Sequence, residues 1–65
     1  MIVTVNEHSV EIDAHTTVAA LLESLGYPDR GVAVAVGSSV LPRSDWGTTL
    51  FDGARLEVVT AVQGG

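Results

Sequence analysis

The chain contains no cysteine and no lysine. Without cysteine, neither a disulfide framework nor a cysteine-based zinc site can staple the fold. Without lysine, the chain offers no Schiff-base amine and no phosphate-binding lysine of the Walker type. No apolar run approaches the roughly 18 residues of a membrane span. The N-terminus lacks a basic stretch followed by an apolar one, so no secretory signal is expected. Repeats, low-complexity tracts and linkers are also missing before residue 62. A reducing cytoplasm, compatible with the missing cysteine, is the expected compartment.

Positive charge is scarce. Eight acids stand against Arg30, Arg43 and Arg55, for a net charge of −5. Nucleic-acid binding needs a basic patch to displace counterions, so this charge argues against nucleic acid, and none is expected as a partner. An acidic surface suits docking onto basic protein surfaces, and it also serves plain solubility.

What remains is 65 residues with 46% apolar content. That is one small domain, whose folding buries only about 60% of the surface its unfolded chain exposes. Residues 1–5 are short and β-branched and read as a strand. Asn6-Glu7-His8 forms a turn, and residues 9–13 alternate polar and apolar as a strand with one wet face. The short turn makes these two an antiparallel hairpin. Thr17 then suits a helix N-cap. Val18, Leu21, Leu22 and Leu25 make one apolar helical stripe over residues 18–25. Gly26 fits the C′ position beyond that helix, and Pro28 forbids its continuation.

Residues 32–36 form a third strand and residues 39–41 a short fourth, ended by Pro42. Ser44-Asp45-Trp46-Gly47 suggests a Ser-capped helical turn. Asp52-Gly53 is a turn dipeptide leading into the last strand, residues 55–61. One helix on one face of a mixed sheet is a two-layer α+β arrangement. The first and last strands are expected side by side and parallel at its centre, as in a β-grasp roll. Residues 1–61 form the domain and residues 62–65 a flexible tail. The expected core is Val3, Val5, Val10, Ile12, Val18, Leu21, Leu22, Leu25, Val34, Val36, Leu41, Leu50, Leu56 and Val58.

The tail is the informative end. The strand gives way to Val62-Gln63-Gly64-Gly65. Glycine makes a thin, flexible backbone, a poor finish for a sheet but suited to threading a narrow cleft and presenting a carboxylate. A frayed end or a cleavage stub is the bland reading. Other candidates are weaker. His8 and His15 lack the paired spacing of metal ligands and read as surface histidines, so no metal is expected. Glu11 and Asp13 lie on a wet face, without the pocket a catalytic carboxylate pair needs. Trp46 is either a partner anchor or a lid over the core. Arg43 either steers a partner or satisfies a loop carbonyl. Ile2, Val59 and Ala61 point away from the helix and mark a docking surface only if they belong to one exposed patch.

A β-grasp body with a protruding Gly64-Gly65 resembles the ubiquitin-like sulfur carriers, and three stretches bring it to the ThiS family of thiamine biosynthesis. Thr17-Val18 through Leu21-Leu22-Glu23 is similar to that family's helix. Val40-Leu41-Pro42-Arg43-Ser44-Asp45-Trp46 resembles its apolar-Pro-Arg-x-x-Trp segment. Asp52-Gly53 and the terminal Gly64-Gly65 complete the likeness, which covers the whole chain. Gln63 has no assigned role.

The resemblance implies a protein cosubstrate, not an enzyme. A free terminal carboxylate is ionised and unreactive at neutral pH. In the family, a ThiF-type adenylating enzyme consumes ATP to activate it, while the carrier itself binds no cofactor. A sulfur donor such as a cysteine desulfurase then supplies the sulfur of a glycyl thiocarboxylate, which a ThiG-type thiazole synthase uses. Gly65 would carry the sulfur and Gly64 would be recognised within the tail. Val59, Ala61, Val62, Trp46 and Arg43 would contribute to docking. The alternatives are a carrier for molybdopterin or another sulfur acceptor, or a ubiquitin-like interaction module or protein modifier.

Overall fold

Strand β1 (Ile2–Val5) turns back into β2 (His8–Glu11) through Asn6 and Glu7, whose φ angles are 49° and 72°. Two consecutive left-handed residues are the mark of the type I′ hairpin, whose twist matches that of its strands. His8 therefore belongs to the strand, paired with Val5, and not to the turn. Strand β2 ends at Glu11, so Asp13 lies beyond it. The computed structural model describes residues 1–28 and 30–60.

Helix α1 (Val18–Ser24) begins where Thr17 adopts extended backbone and its Oγ1 accepts from the Ala20 N–H at 3.1 Å. The other free N–H groups of the first turn are met from across the fold. Val18 N–H donates to the Thr48 carbonyl and Ala19 N–H to the Trp46 carbonyl. These bonds, with the Thr17–Thr49 bridge, fasten the segment after β4 to the start of the helix. At the other end Gly26 takes φ 86°. Its N–H donates to the Glu23 carbonyl and that of Tyr27 to the Leu22 carbonyl. This is the paired closure of a Schellman motif, with Gly26 at C′ as expected. The helix is one residue shorter than its apolar stripe. Leu25 is the C-cap, and there it turns out to 41% exposure and leaves the core that was expected to hold it.

Strand β3 (Val32–Val36) pairs antiparallel with β4 (Ser39–Leu41) through Gly37-Ser38, with Gly37 at φ 64°. A single 3-10 turn, Arg43–Asp45, follows. Its N-cap is Pro42, with no side-chain cap bond. The Ser44 cap is therefore replaced by proline, whose fixed φ starts a helical turn without a donor. Strand β5 (Arg55–Thr60) completes a five-stranded sheet in the order β2-β1-β5-β3-β4. The β1–β5 pairing at the centre is parallel, and the other pairings are antiparallel. This is the β-grasp arrangement expected of the sequence.

The core lies between the sheet and α1. Val3, Val5, Val34, Leu56 and Val58 face it from the strands, and Val18, Leu21 and Leu22 from the helix. Full burial of each large aliphatic side chain contributes about 1.5–3 kcal/mol. Val10, Ile12, Val36 and Leu41 pack against this core only partly buried. Leu50 is buried as expected, and Ala54 and Trp46 join the core.

Candidate functional site

The chain reaches its C-terminal residues through β5, and β1 with the following Asn6 holds it from Asp52 to Val58. At the start, the Ile2 N–H donates to Asp52 Oδ1 at 2.8 Å and the Gly53 N–H to the Ile2 carbonyl at 2.8 Å. The Asp52-Gly53 dipeptide thus turns the chain, with Gly53 at φ 86°, and also ties it to β1. Along the strand, Thr4 N–H donates to the Ala54 carbonyl and Asn6 N–H to that of Leu56. The last contact comes from a side chain. Asn6 Oδ1 accepts from the Val58 N–H at 2.8 Å, and Asn6 Nδ2 donates to the Val58 carbonyl at 3.0 Å. Nothing in the local sequence signalled this, because asparagine at a hairpin turn is already explained by its left-handed backbone.

The face of the sheet away from the helix divides along its length. Toward the start of β5 it is polar, with Thr4, Glu7, Ser9, Arg55 and Glu57 around a shallow depression. Toward Thr60 it is apolar. Val59 is 64% exposed and sits opposite Ala33, while Val40, 76% exposed, sits opposite Ala35. Ala33 and Ala35 are two apart on β3 and share this face. Val59, Ala33, Ala35 and Val40 therefore make an apolar strip across β5, β3 and β4, bordered by Glu57, which sits opposite Ala35. Ile2 lies at the other end of the face, opposite Glu11, and is not part of it.

Arg43 and Trp46 occupy the helix layer instead. Trp46 is 7% exposed, and its indole N–H donates to the Leu41 carbonyl at 3.2 Å. Of its two readings, the lid over the core is the observed one. The Arg43 guanidinium stacks on it, 5.4 Å from the ring centroid. Beside the pair runs a groove lined by Leu22, Glu23, Tyr27 and Pro28. The expected docking residues thus fall on two surfaces, Val59 on the open face and Arg43 with Trp46 on the other. Ala61, Val62, Gly64 and Gly65 lie outside the described residues.

His8, His15, Glu11 and Asp13 are all exposed. Among the described residues no cluster of three or more such side chains is placed to hold a metal ion. No helix of the described residues is long and apolar enough to cross a membrane.

Comparison with known proteins agrees with this architecture. The crystal structure of a thiamine biosynthesis protein (ThiS) from Geobacter metallireducens is 30% identical, with the whole of both chains covered and a TM-score of 0.79. The solution structure of a thiamine biosynthesis protein from the same organism is also 30% identical at a TM-score of 0.79, covering all of this chain and 88% of that one. A search of curated protein sequences gave no match. Residues 3–65 match the ThiS family from the first strand through the terminal glycines, and the chain belongs to that family.

Proposed function

We propose that this protein is the sulfur carrier of thiazole formation in thiamine biosynthesis, with the Gly65 carboxylate as its working group. The carrying observation is the family match, which runs through residue 65 and so includes the glycine pair. The thiamine biosynthesis proteins that share the fold support the pathway.

The chemistry follows from what a carboxylate lacks. It is a poor electrophile, because its charge resists attack and oxide is no leaving group. An adenylating partner overcomes this. A Gly65 carboxylate oxygen attacks the α-phosphorus of ATP and pyrophosphate leaves, giving an acyl-adenylate. A sulfur nucleophile then attacks the acyl carbon, AMP leaves, and a C–S bond replaces the activated C–O bond. With sulfide as the nucleophile the product is the thiocarboxylate itself; with a persulfide donor it is an acyl disulfide, which a thiol reduces to leave the thiocarboxylate, a stronger nucleophile than the carboxylate and ready for transfer to the thiazole-forming enzyme. In this scheme the carrier supplies no acid, base or metal, and its partners perform the catalysis.

The described residues serve docking. The patch of Val59, Ala33, Ala35 and Val40 adjoins the end of β5, where a partner that captures the tail must also rest. The net charge of −5 draws the carrier toward a basic partner surface.

The test is mass spectrometry of the intact protein after incubation with a ThiF-type adenylating enzyme, ATP and sulfide. The expected result is the gain of one sulfur in place of one oxygen, localised to the C-terminal peptide. An unmodified C-terminus, or the protein recovered as an adduct on lysines of other proteins, would sink the carrier reading.

A further inference from the structure

The β1–β5 ladder continues past the point where β1 stops being a strand. In a parallel pair, every second residue on one strand serves two partners on the other through its N–H and its carbonyl. Here the last backbone contact is the Asn6 N–H on the Leu56 carbonyl, at 3.0 Å. Asn6 then enters the left-handed turn at φ 49°, which carries the backbone away from β5. Its side-chain amide takes over. Oδ1 receives the Val58 N–H and Nδ2 reaches the Val58 carbonyl, at 2.8 and 3.0 Å. A carboxamide has the same donor and acceptor as a peptide group, so it stands in for the missing rung.

This contact lies two residues before Thr60, the last residue of β5. The Asn6 bonds fall on the edge of β5 turned toward β1, while β3 holds the other edge as far as the Val32–Thr60 pair. Asn6 is thus the β1-side support closest to the end of β5. The direction in which β5 points at Thr60 is fixed jointly by this amide and by β3.

We propose that the Asn6 carboxamide is a positioning residue: it holds the end of β5, Val58 to Thr60, in line with the sheet, and so fixes the point on the body from which the adenylating partner draws the Gly65 carboxylate into its site. The inference rests on the carrier reading. Acyl transfer requires the reacting atoms within about 3–3.5 Å of one another, so a displaced starting point is costly at the carboxylate.

The variant that isolates the amide is Asn6→Gly, because glycine keeps the left-handed turn and removes only the side chain. Two readouts are needed. In the free protein, hydrogen exchange at the Val58 N–H should quicken about tenfold or more, against little change at Leu56. In pyrophosphate exchange with the adenylating partner, below the melting temperature of every variant, kcat should fall about fivefold or more with KM changed less than about twofold. A second variant, Asn6→Gly with Glu7→Gly, relieves the other left-handed residue of the turn and recovers stability without restoring the amide. A kcat deficit that persists in this variant supports positioning. Recovery of kcat along with melting temperature would show that Asn6 only stabilises the fold and would overturn the proposal, as would wild-type kcat in Asn6→Gly. If the wild-type protein supports no pyrophosphate exchange, the carrier reading fails and the positioning role falls with it; Val58 protection then still decides whether the amide clamps β5.

Discussion

The Arg43 guanidinium lies 5.4 Å from the centroid of the Trp46 ring. The ring beneath is buried, and its N–H is bonded to the Leu41 carbonyl. Trp46→Ala should destabilise the protein by about 3–5 kcal/mol, as large aromatic truncations in cores do. Trp46→Phe keeps much of the packing and loses the hydrogen bond, a smaller cost of about 1 kcal/mol beyond the size change. Arg43→Ala removes an exposed cation–π contact worth about 0.5–1 kcal/mol. Urea unfolding measures all three. An order other than Trp46→Ala, Trp46→Phe, Arg43→Ala would contradict the lid role.

Glu7 holds φ 72° in the hairpin turn, where a side chain is strained. A non-glycine residue in this region costs about 1–2 kcal/mol, part of which glycine returns as unfolded-state entropy. Glu7→Gly should therefore stabilise by up to about 1 kcal/mol. A lowered urea midpoint for this variant would contradict the type I′ assignment.

Gly26 makes the opposite case. It sits at φ 86°, and an added Cβ would meet nothing within 4 Å. Gly26→Ala should cost about 1 kcal/mol from backbone strain alone. Gly26→Asn should cost less, because asparagine tolerates the left-handed region. Thermal melts of the two variants settle whether conformation or packing governs the end of the helix.

Val59 is exposed while its neighbour Val58 is buried. Val59→Asp should leave the melting temperature nearly unchanged and weaken binding to the adenylating partner about tenfold or more, since it places a charge in an apolar patch. Wild-type binding should also weaken as salt rises from about 50 to 500 mM, because the carrier is acidic. Calorimetric titration would show both effects. Full affinity in Val59→Asp would remove the open face from the docking surface.

The tail gives the sharpest separation of fold from function. No core residue among those described lies beyond Val58. Gly64→Ala should thus change stability by no more than about 0.5 kcal/mol. On the carrier reading pyrophosphate exchange should nevertheless fall sharply, because a methyl group would crowd a cleft that accepts bare backbone and would penalise any positive φ needed there. Deleting Gly65 should abolish exchange. Wild-type exchange in both variants would show that the terminal carboxylate is not the reacting group.

The architecture was legible where periodicity and punctuation agree. Val18, Leu21 and Leu22 mark one helix face, Gly26 closes it, and all three are buried as their spacing requires. The alternation along β5 places Leu56 and Val58 inward. Legibility failed where a residue's partner is remote. Leu25 continues the stripe on paper, yet it occupies the C-cap, where the helix no longer carries it to the core. Ser44 had the chemistry of a cap, but Pro42 starts the turn first. The Asn6 amide acts on Val58, 52 residues away, and local sequence contains no trace of that pairing. The candidate site was legible in its tail chemistry and less so in its surface. Val59 gains its patch from Ala33, Ala35 and Val40, residues that only the sheet register brings beside it.

The strand order has a kinetic consequence. The pairs β1–β2 and β3–β4 each close locally across short turns, but neither pair is hydrogen-bonded to the other; within the sheet only β5 joins them. Until β5 enters, the chain holds two separate hairpins, each marginal by itself in water. Its entry brings Asp52 to Ile2 and Val58 to Asn6, across 50 and 52 residues of chain. Such distant closures delay the reward for the entropy already lost, so folding should run on the millisecond scale of mixed topologies and not the microseconds of helical bundles. The segment that leads to the C-terminus is thus the one that completes the sheet, and a chain with β5 in place is one whose two hairpins are joined.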